Sequence, residues 1–351
     1  MKIFITGNMG YVGPAVVRRL RRAYPDATLI GFDMGYFGHC LTSTEILPEC
    51  RLDLQHFGDV RIFPRDVLAG VDAVVHLAAI SNDPMGSSFE AATFEINHRA
   101  SVRLAELAKD AGVRNFVFAS SCSVYGFAEG GARSEKDPVN PLTAYAKSKV
   151  LTERDVSKLA DERFTVTCLR FATACGMSER LRLDLVLNDF VASAIASKKI
   201  NILSDGTPWR PLISVDNMAR AIDWAVIRKA DLGGHFLVVN AGADEWNFQV
   251  RDLAEAVAKV VPGTDVAINK DAQPDKRSYR VDFGLFRKLA PNHQPLGDLS
   301  TTIDGLSTGL RSIGFNDLDF RNSNLARLKV LQTLCSKGSL TGQLEWSHGG
   351  L

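Results

Sequence analysis

Tyr145 and Lys149 stand four residues apart in the segment PLTAYAKSKV (141–150). On a helix, this spacing puts both side chains on one face, one turn from each other. A phenol beside an ammonium can move a proton, because the positive charge favours the phenolate and lowers the pKa of the phenol. The same spacing also occurs on solvated helix surfaces, so the surrounding sequence has to distinguish a catalytic pair from a surface pair.

Ser121 adds a third polar group to this pair. It ends the apolar run NFVFASS (115–121), which predicts a buried strand. Ligands of open α/β sheets bind at the carboxyl ends of the strands, so Ser121 is expected to lie near a bound nicotinamide. Removing a hydride from a carbinol requires that its hydroxyl proton be taken at neutral pH. Tyr145 and Lys149 suit that proton transfer, and Ser121 suits a hydrogen bond to the same substrate oxygen.

A glycine-rich turn, TGNMGYVG (6–13), places Gly7, Gly10 and Gly13 between a predicted strand and a predicted helix. Glycines at such a turn let a pyrophosphate approach the backbone amides at the start of the helix. Asp33 closes the second predicted strand, and a carboxylate there accepts hydrogen bonds from an adenosine ribose and repels a 2′-phosphate. An aspartate that merely forms a turn is the alternative. Together these features predict a dinucleotide site that prefers NAD to NADP.

The elements around these residues predict a doubly wound fold. Predicted strands cover 2–6, 27–33, 50–54, 73–78, 115–121 and 164–171, and predicted helices cover 12–23, 89–111 and 143–160. Strands that are apolar almost throughout and alternate with helices form a parallel sheet covered on both faces. The sequence therefore predicts an α/β protein with a Rossmann-type doubly wound parallel sheet.

The alternation of strands and helices changes after Gly176, which predicts a smaller C-terminal lobe. Helices are predicted at 184–196, 214–227 and 250–261, a short strand and turn at 201–206, and a buried strand at 235–242. The first domain is expected to cover 1–176, with 210–242 returning to it. The lobe is expected to comprise 177–209 and 243–351.

The composition is that of a soluble globular protein, with 46% hydrophobic and 23% charged residues. The formal net charge of +1 provides no electrostatic case for binding nucleic acid or an anionic membrane. No apolar run approaches the roughly 20 residues that span a bilayer, and MKIFITGNMG resembles a strand more than a signal peptide. The six cysteines include no CxxC pair, which favours reduced thiols in a cytoplasmic enzyme over disulfides or a metal site.

Seven stretches together resemble the extended short-chain dehydrogenase/reductase family. They are TGNMGYVG, Asp33, HLAA (76–79), Asn97 in INHRAS, SSCSVYG, YAKSK and LRFATACG. The resemblance continues through WRPLISVDN (209–217) and DKRSYRVD (275–282) and weakens beyond about residue 285. Within the family, the chain is similar to the nucleotide-sugar epimerases and dehydratases. This implies NAD as the cofactor and a nucleotide-diphosphate sugar as the substrate, bound by the lobe.

The resemblance also implies which residues contact the cofactor. The glycines and the amides of Tyr11 and Val12 would hold the pyrophosphate, Asp33 the adenine ribose, and Asp53 and Leu54 the adenine. The full implied set is Gly7, Gly10, Tyr11, Val12, Gly13, Asp33, Asp53, Leu54, Leu77, Ala78, Ala79, Asn97, Ser120, Tyr145, Lys149 and Phe171. In this set Asn97 supports the site and Phe171 lies near the nicotinamide.

For catalysis and substrate binding, the resemblance implies two further sets. Ser121, Tyr145 and Lys149 would be catalytic, and the substrate would contact Ser81, Ser121, Thr173, Asn188, Arg210 and Arg277. Asn188, Arg210 and Arg277 match positions that hold the nucleotide diphosphate, whereas Thr173 stands where many relatives have an asparagine. Arg180 and Arg182 lie beside the expected lobe and either contact the nucleotide or form a solvated surface.

The reaction expected from these residues is an epimerisation through a keto intermediate. The 4,6-dehydratases of the family carry an Asp-Glu pair where this chain has Cys122 and Ser123, which lack the acid and base that elimination needs. A ketoreductase is the remaining enzymatic alternative. A silent dinucleotide sensor is disfavoured, because both Tyr145 and Lys149 are present.

A homodimer is also expected, since family members commonly pair the helices at about 89–111 and 143–160 into a four-helix bundle. Apolar residues on these helices, such as Leu104, Leu107, Val150 and Leu159, fit either that interface or the core of one chain.

Overall fold

A seven-stranded parallel sheet forms the centre of the computed structural model, which describes residues 1–42, 44–128, 130–269, 272 and 278–347. The strands in these ranges are β1 (Lys2–Thr6), β2 (Thr28–Asp33), β3 (Leu54–Phe57), β4 (Ala73–His76), β5 (Asn115–Ser121), β6 (Thr165–Phe171), β7 (Thr173–Cys175), β8 (Lys199–Ile202), β9 (Trp209–Ser214), β10 (Phe236–Ala241), β11 (Asn247–Gln249) and β12 (Asp265–Ile268). The central sheet has the order β3-β2-β1-β4-β5-β6-β10, so the direction of winding reverses between β1 and β4. The predicted doubly wound fold is confirmed.

Helices cover both faces of this sheet. They are α1 (Gly13–Ala23), α2 (Asp83–Ser88), α3 (Glu90–Phe94), α4 (Ser101–Asp110), α5 (Ala144–Val156), α6 (Val186–Ser197), α7 (Val215–Val226), α8 (Val250–Val260), α9 (Gly284–Leu289), α10 (Leu299–Ser312) and α11 (Arg327–Ser336). Successive strand residues point to opposite faces, so Ile3 and Ile5 join one buried apolar cluster and Phe4 joins the other. Burial on both sides explains why the strands are apolar throughout.

Two elements differ from the sequence prediction. The strand predicted at 50–54 is observed as β3 (Leu54–Phe57), and Pro48–Arg51 forms a 3-10 turn instead. Asp53 lies at the point where this pairing begins: its backbone amide donates to the Leu29 carbonyl at 2.8 Å, its carboxylate accepts the Leu29 amide at 2.7 Å, and the strand register starts with Leu54 opposite Ile30. The helix predicted at 89–111 is divided, because a π-helical segment, Glu95–Ala100, joins α3 to α4.

The second half of the chain adds a smaller layer beside the carboxyl edge of the sheet. It contains the sheet β11-β9-β7, the parallel pair β8-β12, and the packed helices α6, α8 and α10. The C-terminal end of the predicted lobe (243–351) lies elsewhere than expected. Leu331, Leu340 and Leu344 are buried in the same apolar cluster as Phe32 and Tyr36, so the last described segment packs against the central sheet domain.

The helices expected to pair in a homodimer bury their apolar residues within one chain. Leu104 and Leu107 belong to the core, whereas Arg99 and Arg154, at 71% and 59% exposure, face outward. The described residues of these helices form no exposed apolar stripe that would support the dimer. The homodimer stays a prediction. Within the described ranges, none of the helices has the length and apolar composition that crossing a bilayer requires.

Candidate active site

One large cavity lies at the carboxyl edge of the central sheet, between the sheet and the lobe. Its volume is about 1120 Å³. Residues that follow β1 to β6 line one side, and residues of α6, β8, β9 and α8 line the other. This volume is slightly above the range of about 300–1,000 Å³ that is typical of sites for one drug-sized ligand.

The glycine-rich turn fits a dinucleotide for steric reasons. Gly7 has φ +73°, and a Cβ there would lie 2.5 Å from the Ala78 backbone nitrogen. A Cβ on Gly13 would lie 1.9 Å from the Asn8 carbonyl oxygen. Neither position tolerates a side chain. No side chain caps the start of α1, so its first amides remain available to an anion, and Gly10, Tyr11 and Val12 line the cavity beside them.

The Asp33 carboxylate is held beside this turn. One oxygen accepts the Met9 amide at 3.0 Å and the other accepts the Gly35 amide at 2.8 Å. Burial raises the pKa of Asp33, and these two hydrogen bonds oppose that rise. Asp33 lines the cavity at the end of β2, the position at which a carboxylate meets an adenosine ribose.

The two residues expected to contact the adenine, Asp53 and Leu54, lie outside the cavity. Asp53 pairs with Arg21 at 2.6 Å at the start of β3, and neither Asp53 nor Leu54 lines the cavity. Because β3 begins later than predicted, the residues at its cavity end are Asp59 and Val60. In the sequence, Asp59 is the residue that could have indicated this position, because it is an acidic residue that follows the strand, whereas Asp53 precedes it.

Hydrogen bonds from the π-helical segment Glu95–Ala100 hold the loop after β4 in place. Leu77, Ala78 and Ala79 line the cavity. Asn97 is fully buried in the π-helical segment: it accepts the Ile80 amide at 2.7 Å and donates to the Ile80 carbonyl at 2.9 Å. Asn97 therefore supports the loop without reaching the cavity.

Ser121, Tyr145 and Lys149 all line the cavity, and Tyr145 lies beside both of the others: its hydroxyl shares a hydrogen bond with the Ser121 side chain, and the Lys149 ammonium lies near its ring. Thr143 caps α5 by accepting the Ala146 amide at 3.1 Å, which sets the direction of the first helical turn. The Lys149 ammonium lies 5.6 Å from the centre of the Tyr145 ring and donates to the Ala119 carbonyl at 2.7 Å. This arrangement allows proton transfer and hydrogen bonding at a single substrate oxygen.

The pKa of Tyr145 differs from the expectation that the Lys149 ammonium would lower it. Burial raises the pKa of Tyr145 to about 12, although a hydrogen bond with the Ser121 side chain opposes the rise. Burial lowers the pKa of Lys149 to about 7, while the nearby Glu153 carboxylate opposes that change. Desolvation thus outweighs charge stabilisation in the protein alone, and the phenol is the resting form of Tyr145.

A buried ion pair behind the three residues was missed by the sequence analysis. Arg170 binds both carboxylate oxygens of Glu153, at 3.0 and 2.7 Å. The Ser120 hydroxyl, expected to contact the cofactor, lines the cavity and donates to Glu153 at 2.5 Å. Glu153 follows Lys149 by four residues, and this spacing is the signal that points to it.

The two arginines left open by the sequence are both buried. Arg180 pairs with Glu49 at 2.7 Å, and Arg182 binds Asp184 through two nitrogens at 2.6 and 2.8 Å. The solvated-surface alternative is therefore wrong for both. Arg182 also lines the cavity and donates to the Ser81 hydroxyl at 3.0 Å.

The remaining substrate positions divide into two groups. Phe171, Thr173 and Arg210 line the cavity. Asn188 does not: its amide group donates to the Tyr11 hydroxyl at 3.0 Å and the Arg182 carbonyl at 2.9 Å, so both of its hydrogens are used inside the protein. The structure thus differs from the expected diphosphate contact of Asn188. Arg277 lies outside the described residues.

The positions after Ser121 face different environments. The Cys122 thiol is fully buried and donates to the Arg170 carbonyl at 3.1 Å, and burial raises its pKa. Ser123 lines the cavity, and its hydroxyl has no hydrogen-bond partner among the described residues. Asp83, another residue that the sequence analysis missed, lines the cavity and raises the pKa of Tyr145 by its charge.

Comparison with family models shows a match over residues 3–242 to the NAD dependent epimerase/dehydratase family. A protein of Bacillus subtilis (strain 168), described as an uncharacterized UDP-glucose epimerase, is 29% identical over 255 residues, which are 70% of this chain and 78% of that protein. A dTDP-glucose 4,6-dehydratase of Streptomyces griseus is 28% identical over 287 residues, which are 80% of this chain and 85% of that enzyme.

A solved structure of MoeE5 in complex with UDP-glucose and NAD is similar to this fold. The TM-score is 0.75 and the sequence identity 25%, and the match covers 89% of this chain and 99% of MoeE5.

Proposed function

The chain belongs to the NAD dependent epimerase/dehydratase family, with NAD as its cofactor, and on this premise we propose that it epimerises a nucleotide-diphosphate sugar. The observation that carries the proposal is the meeting of Ser121, Tyr145 and Lys149 in a cavity that the glycine turn and the lobe also line. One wall thus suits a dinucleotide and the other a sugar nucleotide.

Proton transfer is the task of the three residues in this reaction. NAD, when bound, accepts a hydride from a sugar carbinol and returns it to the opposite face of the resulting ketone. The Tyr145 oxygen takes the carbinol proton as the hydride leaves and gives it back as the hydride returns, so protons and electrons balance over one cycle. Ser121 donates to the same substrate oxygen. The charges of Lys149 and of the oxidised nicotinamide favour the phenolate, which lowers the pKa of Tyr145 from its resting value.

Epimerisation is favoured over elimination by the two residues after Ser121. Elimination of water needs a general acid and a base beside the sugar. Cys122 is buried away from the cavity and Ser123 is a hydroxyl, so neither provides a carboxyl group. Two observations favour a dehydratase instead: Asp83 lines the same cavity as Tyr145, and the chain is 28% identical to a dTDP-glucose 4,6-dehydratase.

We expect the product to have the same mass as the nucleotide-sugar substrate. The same cofactor molecule is restored in every cycle, so no net NADH should form or disappear. Mass spectrometry and proton NMR of the product, with absorbance of NADH followed in parallel, check this result. UDP-, dTDP-, GDP- and CDP-sugars are first screened by thermal shift, because a bound ligand stabilises the native state.

Two outcomes would contradict epimerisation and identify the alternative. Loss of one water from the product would indicate a dehydratase, and Asp83→Asn should then abolish that loss. Stoichiometric consumption of NADH would indicate a ketoreductase. A homodimer belongs to the same proposal and would be seen by sedimentation at micromolar concentration.

A preference for NAD over NADP is expected from Asp33. A 2′-phosphate at this carboxylate would bring like charges together, so Asp33→Ala should lower the NAD/NADP affinity ratio by at least about tenfold, or about 1.4 kcal/mol. Equilibrium binding of both cofactors measures the ratio. Asp53→Ala removes a carboxylate from the opposite end of β3 and should leave the ratio unchanged. An unaltered ratio in Asp33→Ala would mean that another residue determines the preference for NAD.

A further inference from the structure

The last described segment of the chain returns from the lobe to the cavity. Arg327, the first residue of α11, lines the cavity and lies outside the part of the chain that matches the family model. Further along, the Leu344 carbonyl accepts a hydrogen bond from the Tyr36 hydroxyl, and the Trp346 indole donates to the Met34 carbonyl at 2.8 Å. Met34 and Tyr36 follow β2, so this segment is anchored on the same side as Asp33.

Arg327 is buried without a carboxylate partner among the described residues. It is 1% exposed, and it donates to the carbonyls of Arg180 at 2.7 Å and Asn324 at 3.3 Å. Its guanidinium lies 4.8 Å from the centre of the Phe37 ring. Burial lowers the pKa of Arg327 to about 10, which indicates that these neutral partners do not compensate its charge fully.

Arg327 has no carboxylate of its own among the described residues. Glu49 is paired with Arg180 and Asp184 with Arg182, and the third carboxylate of this region, Asp33, accepts two backbone amides and lies in the electrostatic field of Arg180. None of these three carboxylates forms an ion pair with Arg327. A buried charge without a counter-ion is costly, so an anion bound in the cavity would stabilise this guanidinium.

We infer that Arg327 binds the diphosphate of NAD, so that the C-terminal segment completes the cofactor site. Phe37 belongs to the loop that follows Asp33, so the contact of Arg327 with this ring lies on the cofactor side of the cavity. The charge of Arg327 also acts on the hydroxyl of Tyr11, a residue of the glycine turn. A guanidinium also forms two parallel charged hydrogen bonds with phosphate oxygens. The inference depends on NAD as the cofactor and not on which sugar reaction occurs.

Calorimetric titration of the protein, after removal of bound nucleotide, tests this inference with NAD, ADP, UDP and adenosine. Arg327→Gln should weaken NAD and ADP binding by roughly ten- to a hundredfold, the range of one charged hydrogen bond. Adenosine carries no phosphate, and its affinity should remain unchanged. Arg228→Gln is the matched control: Arg228 is 2% exposed, bonds Thr167 at 2.8 Å and does not line the cavity, so this variant should bind ADP normally.

An unchanged ADP affinity in Arg327→Gln would overturn the inference. A loss confined to UDP would also overturn it, because the diphosphate would then belong to the sugar nucleotide. Arg327→Lys is the second variant if the glutamine variant does not fold. It keeps the charge and loses the paired donors, so ADP should bind several-fold more weakly and adenosine equally well. Full ADP affinity in that variant would count against the inference.

Discussion

Tyr145→Phe is expected to lower turnover by at least about a hundredfold, the usual contribution of a positioned proton-transfer group. The substitution removes one oxygen from a half-buried ring and leaves the ring packing intact. Thermal unfolding and NAD binding should therefore remain close to those of the unaltered protein. Single-turnover kinetics with the substrate found by thermal shift measure the effect on the chemical step.

A second tyrosine provides the control for this experiment. The Tyr24 hydroxyl donates to Asp223 at 2.7 Å, and Tyr24 does not line the cavity. Tyr24→Phe removes the same atom type and should leave turnover unchanged. If Tyr145→Phe retained near-normal turnover, Tyr145 would have no part in proton transfer, and the proposed mechanism would have to be abandoned.

Glu153→Gln is expected to lower the free energy of unfolding by about 3–5 kcal/mol, the cost of breaking a buried ion pair. Glu153 and Arg170 are 5% and 7% exposed, so the substitution leaves the guanidinium without a counter-charge. Denaturant unfolding measures this loss. Glu153 also raises the pKa of Lys149, so the variant should lose the Lys149 ammonium at a lower pH, and the pH profile of residual turnover should shift downward.

Two further variants separate charge burial from other causes. Glu95 pairs with Arg99 at the surface, where the Glu95 and Arg99 side chains are 40% and 71% exposed, so Glu95→Gln should cost less than about 1 kcal/mol. The double variant Glu153→Leu with Arg170→Met removes both buried charges and should recover much of the lost stability. An equal loss in the double variant would mean that packing, rather than an unpaired charge, accounts for the effect.

Interactions between residues close in sequence were predictable. Tyr145 and Lys149 share a helix face because of their spacing, and Ser121 ends a recognisably apolar strand. The glycine turn is recognisable for the same reason, since strand, turn and helix follow one another without interruption. In each case local backbone geometry determines the relative positions of the residues, so the order of residue types is sufficient to predict them.

The residues at the cavity end of β3 could not be predicted, because strand pairing decides where β3 begins. Asp53 looks like the acidic residue at a strand end, but its amide and its carboxylate both bond Leu29 on the neighbouring strand. The paired register runs from Leu54 to Phe57, which places Asp59 at the cavity. The alternation of side chains in a strand does not reveal its ends when the partner strand is more than twenty residues away.

By itself, the sequence determined the doubly wound fold, the glycine turn, the position of Asp33 at the end of β2 and the pairing of Tyr145 with Lys149, because periodicity and short spacings encode them. Only the tertiary structure decided which charges are buried together. The Glu153–Arg170 pair and the unpaired guanidinium of Arg327 arise from contacts between distant segments. A charged side chain has the same identity in the sequence whether it is solvated or buried, and burial is what changes its energetic effect.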